Sequence, residues 1–244
     1  MSSAVGPGRN KIMCRLLVHV EGETEETFVN EILRPHLVQK GYTYVSARII
    51  GNARQRDRRG GIRGWNAVKN DIIKHLSGDR DCIATTMVDY YGLPKTGDKA
   101  WPNREAAGSL VFSLKAKTVE EGMRNDIVTE MGENFNGNRF IPFVVMHEFE
   151  GLLFSDCEAF ANAIGKRDLA SQLLAIRNQF TTPEEINDSP LTAPSKRVES
   201  IISGYQKPFF GSLAALEIGL EKIIDSCPHF KEWLLELERI GSIQ

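Results

Sequence analysis

The sequence predicts an α/β fold, a mainly parallel sheet flanked by helices with an all-helical C-terminal region. Two observations predict it. Apolar runs of strand length alternate with segments whose apolar residues recur at helical intervals, the βαβ pattern of a covered parallel sheet. After Ser155 the strand-like runs stop and only helical periodicity remains. The expected division is 1–155 for the α/β part and 156–244 for the helical extension.

Leu16 to Val20 is the first strand, a short apolar run that ends in Glu21 and Gly22. Thr24 to Val38 follows as a helix, with Phe28, Ile32, Leu33 and Leu37 on one face. Tyr44 to Ile50, rich in Tyr, Val and Ile, is the second strand. Gly51 to Gly64 is a loop by its glycines and carries Arg54, Arg56, Arg58, Arg59 and Arg63 against one acid, Asp57. Trp65 to Leu76 is the next helix. Cys82 to Val88 is the third strand and ends in Asp89. A long exposed helix is expected over Leu110 to Met131. Phe140 to Met146 is the fourth strand and runs into His147, Glu148, Phe149 and Glu150. In the extension, Thr182, Pro183 and Glu185 have the form of a helix start with a capping box. Leu213 to Ile224 and Phe230 to Ile240 are amphipathic.

The chain has 244 residues, enough for a substantial core, with 30 basic and 32 acidic side chains and a net charge of −2. That balance excludes a globally basic polyanion binder, so nucleic-acid contacts must come from local clusters. Cys14, Cys82, Cys157 and Cys227 are scattered without zinc-finger spacing and are expected to be reduced, buried thiols. No run approaches the ~18 apolar residues of a membrane span, and no leader with a cleavage site is visible. A cytoplasmic, membrane-free protein is expected.

Three apolar runs end in acid. Glu21, Glu25, Asp89, Glu148 and Glu150 come from separate segments and are expected to converge beyond the strand ends, where open α/β sheets bind ligands. Packed carboxylates repel unless a cation or shared proton compensates them. Hard oxygen donors suit Mg²⁺ or Mn²⁺, and the chemistry implied is metal-assisted phosphoryl transfer. The plainer reading differs by residue. Glu23, Glu25 and Glu26 also suit a helix's first turn through its dipole, and Asp89 also suits a turn cap. Glu148 and Glu150 share a face if their strand continues. The arginine loop suits phosphate binding, and equally a solvated surface. Lys196, Arg197 and Lys207, near Tyr205, form a second basic group that would clamp a strand over the acids.

With these residues in place the chain resembles the Toprim superfamily of topoisomerases, primases and overcoming-lysogenization-defect nucleases. The strand-end Glu-Gly of that pattern is matched by Glu21 and Gly22, and the nucleases' next acid by Glu25. Their Asp-x-Asp is matched only by Asp89, because Tyr91 stands where the second Asp would be. The segments VEGETEE, MVDYYGLP, HEFEGLLF, APSKR and CPHFKEWL are similar to a bacterial Toprim-like family of unknown function, over nearly the whole chain. The resemblance implies Mg²⁺-dependent nuclease chemistry on DNA or RNA, and work beside an ABC-type ATPase in phage defence, with homo-oligomers among the expected states. Glu21, Asp89 and Glu150 would hold the metal, and Glu25 and Glu148 would be further ligands or orient water. The loss at Tyr91 leaves open a replacement ligand, a single weakly held metal, or a non-catalytic module that binds nucleic acid or the ATPase. An aspartyl-phosphate phosphatase with Asp89 as nucleophile is weaker, since it too needs the missing Asp.

Overall fold

The computed structural model describes residues 14–50, 62–187, 189 and 191–242. Five parallel strands, β1 (Arg15–Val20), β2 (Tyr44–Ile49), β3 (Cys82–Asp89), β4 (Phe140–Ile141) and β5 (Val144–Val145), form one sheet. The order is β2-β1-β3-β4, with β5 also on β3. The predicted fourth strand is split in two because Pro142 has no N–H to give the ladder. The Thr86 hydroxyl fills the gap, donating to Phe143 O and accepting from Phe143 N, both at 2.9 Å.

The strand order fixes which face each helix covers. The chain steps from β1 to β2 in one direction and from β2 back across β1 to β3 in the other. Right-handed crossovers therefore place the first connection on one face and the next on the opposite face. The first connection is α1 (Glu23–Phe28), a π segment (Val29–Leu33) and α2 (Arg34–Gln39). The sequence predicts one uninterrupted helix here. Pro35 cannot donate to the preceding turn, and the wider π turn precedes it. The opposite face carries α3 (Trp65–Gly78), the single turn α4 (Arg104–Ala107) and α5 (Phe112–Met131), with Trp65, Val68, Trp101, Val119 and Met123 in its core.

The remaining helices are α6 (Glu150–Leu153), α7 (Cys157–Ala163), α8 (Ala170–Arg177), α9 (Pro194–Ile201), α10 (Lys207–Ser226) and α11 (Pro228–Ser242). They cover the first face. Phe160, Val198, Ala214, Ile218, Phe230 and Trp233 join Leu16, Val18, Phe28 and Met87 in one cluster. Trp233 stacks on Phe143 at 4.4 Å and donates to the Thr85 hydroxyl. The helix expected from Thr182 is only a 3-10 turn, Pro183–Glu185, without a Thr182 cap. Glu185 accepts instead from Thr181 N, and Glu184 is turned to the start of α11, accepting from His229 N and Phe230 N. All four cysteines are buried and free. Among the described residues no helix is long and apolar enough to cross a membrane.

The last helix is pinned to the turn before β2. Gly41 has φ +109°, and a Cβ there would lie 2.3 Å from Gly241 O. Tyr42 donates to Leu237 O at 2.9 Å beside it. Backbone meets backbone at this point, so neither side can yield. Gly41→Ala is therefore expected to destabilise the protein by about 3 kcal/mol, from strain plus overlap. A urea melt of the variant checks this.

Candidate functional site: a carboxylate cluster around Lys207

The strand order reverses between β1 and β3, the place where open α/β sheets leave a crevice. β1 delivers Glu21 there and β3 delivers Asp89. The Glu21 carboxylate accepts the Asp89 N–H at 3.3 Å, which ties the two strand ends together. Gly92 sits close by, and a Cβ on it would come within 3.5 Å of Glu21. Glu25 is buried in the first turn of α1 and accepts the Gly22 N–H at 2.9 Å, half of a capping box. Its plainer reading as a solvated helix-start acid does not hold, whereas Glu23 is exposed.

Glu148 and Glu150 reach the same place by a different route from a shared strand face. The strand ends at Val145, and His147 adopts φ +64°, a turn that sends the chain inward. Glu150 opens α6 and is fully buried, while Glu148 accepts the Ser195 N–H at 2.8 Å from the first turn of α9. Phe149 N donates to Asp89 at 2.9 Å, so this turn also fixes the β3 carboxylate.

Lys207, at the start of α10, is the centre of the group. Its ammonium lies 2.9 Å from Glu150 Oε2 and 3.5 Å from Asp89 Oδ2. Glu150 Oε1 and the buried Tyr205 hydroxyl have no hydrogen-bond partner among the described residues. Lys207 is thus the ammonium paired directly with Asp89 and Glu150. Burial and repulsion from Asp89 push Glu21 up to about 7 and Glu25 up to about 8. Burial pushes Glu150 up to about 7 against the pull of Lys207. Burial also raises Asp89, with Lys207 and the Phe149 N–H opposing. Lys207 loses solvation but is held above the ordinary ammonium range by Asp89 and Glu150.

The donor set is all oxygen and short of positive charge, which fits Mg²⁺ or Mn²⁺ in kind. Among the described residues no three acid, His or Cys side chains stand at ion-holding spacing. The cluster is organised around the Lys207 ammonium, which stands between Asp89 and Glu150.

The other predicted residues divide. Lys196 lies within electrostatic reach of Glu148 and Tyr91 and pairs with Glu199 at 2.7 Å. Arg197 turns to Thr192 O and to the Phe180 ring. Arg63 precedes α3, and its carbonyl accepts from Trp101 at 3.0 Å. Arg54, Arg56, Arg58 and Arg59 lie outside the described residues. Sequence reasoning missed Ser195 and Arg104. Ser195 acts through a backbone N–H, which no residue type signals. Buried Arg104 donates to Tyr90 O and lies 3.6 Å over the Tyr90 ring, bracing the turn after Asp89.

A family model, Domain of unknown function (DUF4276), matches residues 20–238. The chain belongs to the DUF4276 family. That match runs from the end of β1 into α11 and so includes Glu21, Asp89, Glu150 and Lys207. No curated protein and no solved structure matches the chain.

Proposed function

We propose that this chain is a metal-dependent nuclease of Toprim type, cleaving phosphodiester bonds of DNA or RNA. The convergence of five carboxylates on the β1–β3 switch point, with one lysine among them, carries this reading. Glu21, Asp89 and Glu150 would hold Mg²⁺ or Mn²⁺, which when bound would polarise the phosphate and lower the pKa of a water. Lys207 supplies N–H donors and positive charge where a phosphate would meet the acids. Glu148, held by the Ser195 N–H, and Glu25, held by the Gly22 N–H, would orient a water or take its proton.

The test is a panel of plasmid, single-stranded oligonucleotide and RNA with and without Mg²⁺ or Mn²⁺, alone and beside a co-encoded ABC-type ATPase. Metal-dependent cleavage that Glu21→Ala and Asp89→Ala remove is the expected result. Tyr91 favours a second reading, a non-catalytic module for nucleic acid or the ATPase, because it stands where a carboxylate ligand would and is 40% exposed. Binding without cleavage under every condition would establish that reading instead.

Grip and chemistry separate by mutation. If the arginine loop contacts phosphates, changing Arg56, Arg58 and Arg59 to Ala weakens binding to all sequences. The salt slope flattens by roughly one unit per lost contact. Filter binding across a salt series measures it, and an unchanged slope assigns the loop to solvated surface.

A further inference from the structure

Backbone N–H groups fix four of the five acids. Glu21 accepts from Asp89, Glu25 from Gly22, Glu148 from Ser195, and Asp89 Oδ1 from Phe149 at 2.9 Å. The Asp89 oxygen left over, Oδ2, faces the Lys207 ammonium at 3.5 Å, and Glu150 Oε2 faces the same ammonium at 2.9 Å. These two oxygens therefore share one cation, and it is part of the chain. Exposure separates the lysine from its partners. The Asp89 and Glu150 side chains are 8% and 0% exposed, whereas that of Lys207 is 39% exposed. Lys207 thus forms part of the surface over acids that are cut off from water. It is the first residue of α10 and follows a connection in which Gly204 has φ +78°. Its four-carbon stem can turn without moving the helix behind it.

We propose that Lys207 is an internal counter-ion that closes the carboxylate site, and that a divalent metal enters in exchange for its ammonium, which turns outward to the surface. The inference rests on the metal reading above and adds how the site is loaded. Mg²⁺ takes carboxylate oxygens at about 2.1 Å, closer than an ammonium approaches. An ion shared by Asp89 Oδ2 and Glu150 Oε2 would lie between oxygens that the ammonium spans, so overlap and like charge keep the two from being there together. Charge favours the exchange, because the ion brings two positive charges to repelling acids and the lysine brings one. The route is set by burial. The acids are closed to solvent on their own account, and the lysine is the member of the group that reaches it. Once displaced, the ammonium stays tethered at the rim of the site, where a phosphate oxygen would meet it.

Crystals of the full chain grown with and without Mn²⁺ test the exchange, since manganese is located by its anomalous scattering. With the metal on Asp89 and Glu150, the Lys207 ammonium is expected beyond ion-pair distance of both. In solution, calorimetric titration with Mn²⁺ at pH 8 is expected to show binding about tenfold tighter in Lys207→Met than in the wild type, because the competing cation is gone. Manganese bound while Lys207 still pairs with Asp89 and Glu150 overturns the exchange, and so does a Lys207→Met affinity no tighter than that of the wild type. The wild-type crystals decide the question alone if Lys207→Met fails to fold. The two failures are distinct. Manganese beside an unmoved lysine removes the exchange and leaves the metal reading standing, whereas no Mn²⁺ binding in either protein, by heat or in crystals, removes both.

Discussion

Asp89→Asn and Glu150→Gln are expected to lose metal-dependent cleavage by about a hundredfold or more and, in the same proteins, to raise the melting temperature at pH 8. The two effects have one cause. Asp89 and Glu150 are almost wholly buried among like charges, and Lys207 neutralises only one charge of the group. Holding ionised acids there costs stability, and the amide removes that cost while keeping the shape. In Asp89→Asn the amide oxygen would still accept from Phe149 N, the bond Asp89 makes at 2.9 Å. A gain of about 1–3 kcal/mol is expected for each, which at this chain length moves the melting temperature by roughly 2–4 °C per kcal/mol. A purely structural role for the carboxylates predicts the reverse, with stability falling. Calorimetry at pH 8 beside a cleavage assay decides between them.

The opposite change, Lys207→Met, leaves the acids without their cation. It should destabilise the protein at pH 8 by roughly 1–3 kcal/mol and far less at pH 5.5, where the acids take up protons. Melts at the two pH values measure this.

How far the sequence carries a reader to this site depends on what each contact is made of. Glu21 and Asp89 are legible because an apolar run marks a strand and an acid at its end falls on the sheet's carboxyl edge. Their being neighbours is not, since that follows from the reversal of strand order. The paths of Glu148 and Glu150 are illegible for another reason. A continued strand and a left-handed turn at His147 make opposite predictions about where those side chains go, and a histidine does not announce positive φ as glycine does. Lys207 is 118 residues from Asp89, and its role is set by packing of α10 against α1, α6 and α7. From sequence it reads as one of three basic residues, with Lys196 and Arg197, expected over the acids, and nothing in the sequence singles it out as their partner. Pro35 and Pro142 are cases where the signal was present, because a missing N–H disturbs a helix or a ladder wherever it falls.

Without divalent metal, these acids are expected to lower stability as pH rises from about 4.5 to 8, and Mn²⁺ is expected to restore it at the upper end. A carboxyl whose pKa is raised on folding stabilises the protein while protonated, and that stability is lost as pH climbs through the folded value. Glu21 and Glu150 pass from an ordinary 4.5 to about 7, and Glu25 to about 8, so the loss belongs to this window. One site shifted that far carries on the order of 3 kcal/mol, and because the sites repel one another the sum is smaller than three separate contributions. The part of this fall above pH 6.5 is the most direct to measure. His19, buried and pushed down to about 3, costs stability as pH falls below its ordinary 6.5, which opposes the carboxylates there. His229 is raised by Glu120 against burial and acts in the same direction as the carboxylates, so the difference between wild type and Glu150→Gln isolates the cluster. Metal binding needs the acids ionised, so the Mn²⁺ effect should be large at pH 8.5 and absent at pH 5.5. A melting temperature that is flat across the window in wild type, and indifferent to Mn²⁺, would mean that these five acids hold neither shared protons nor a metal.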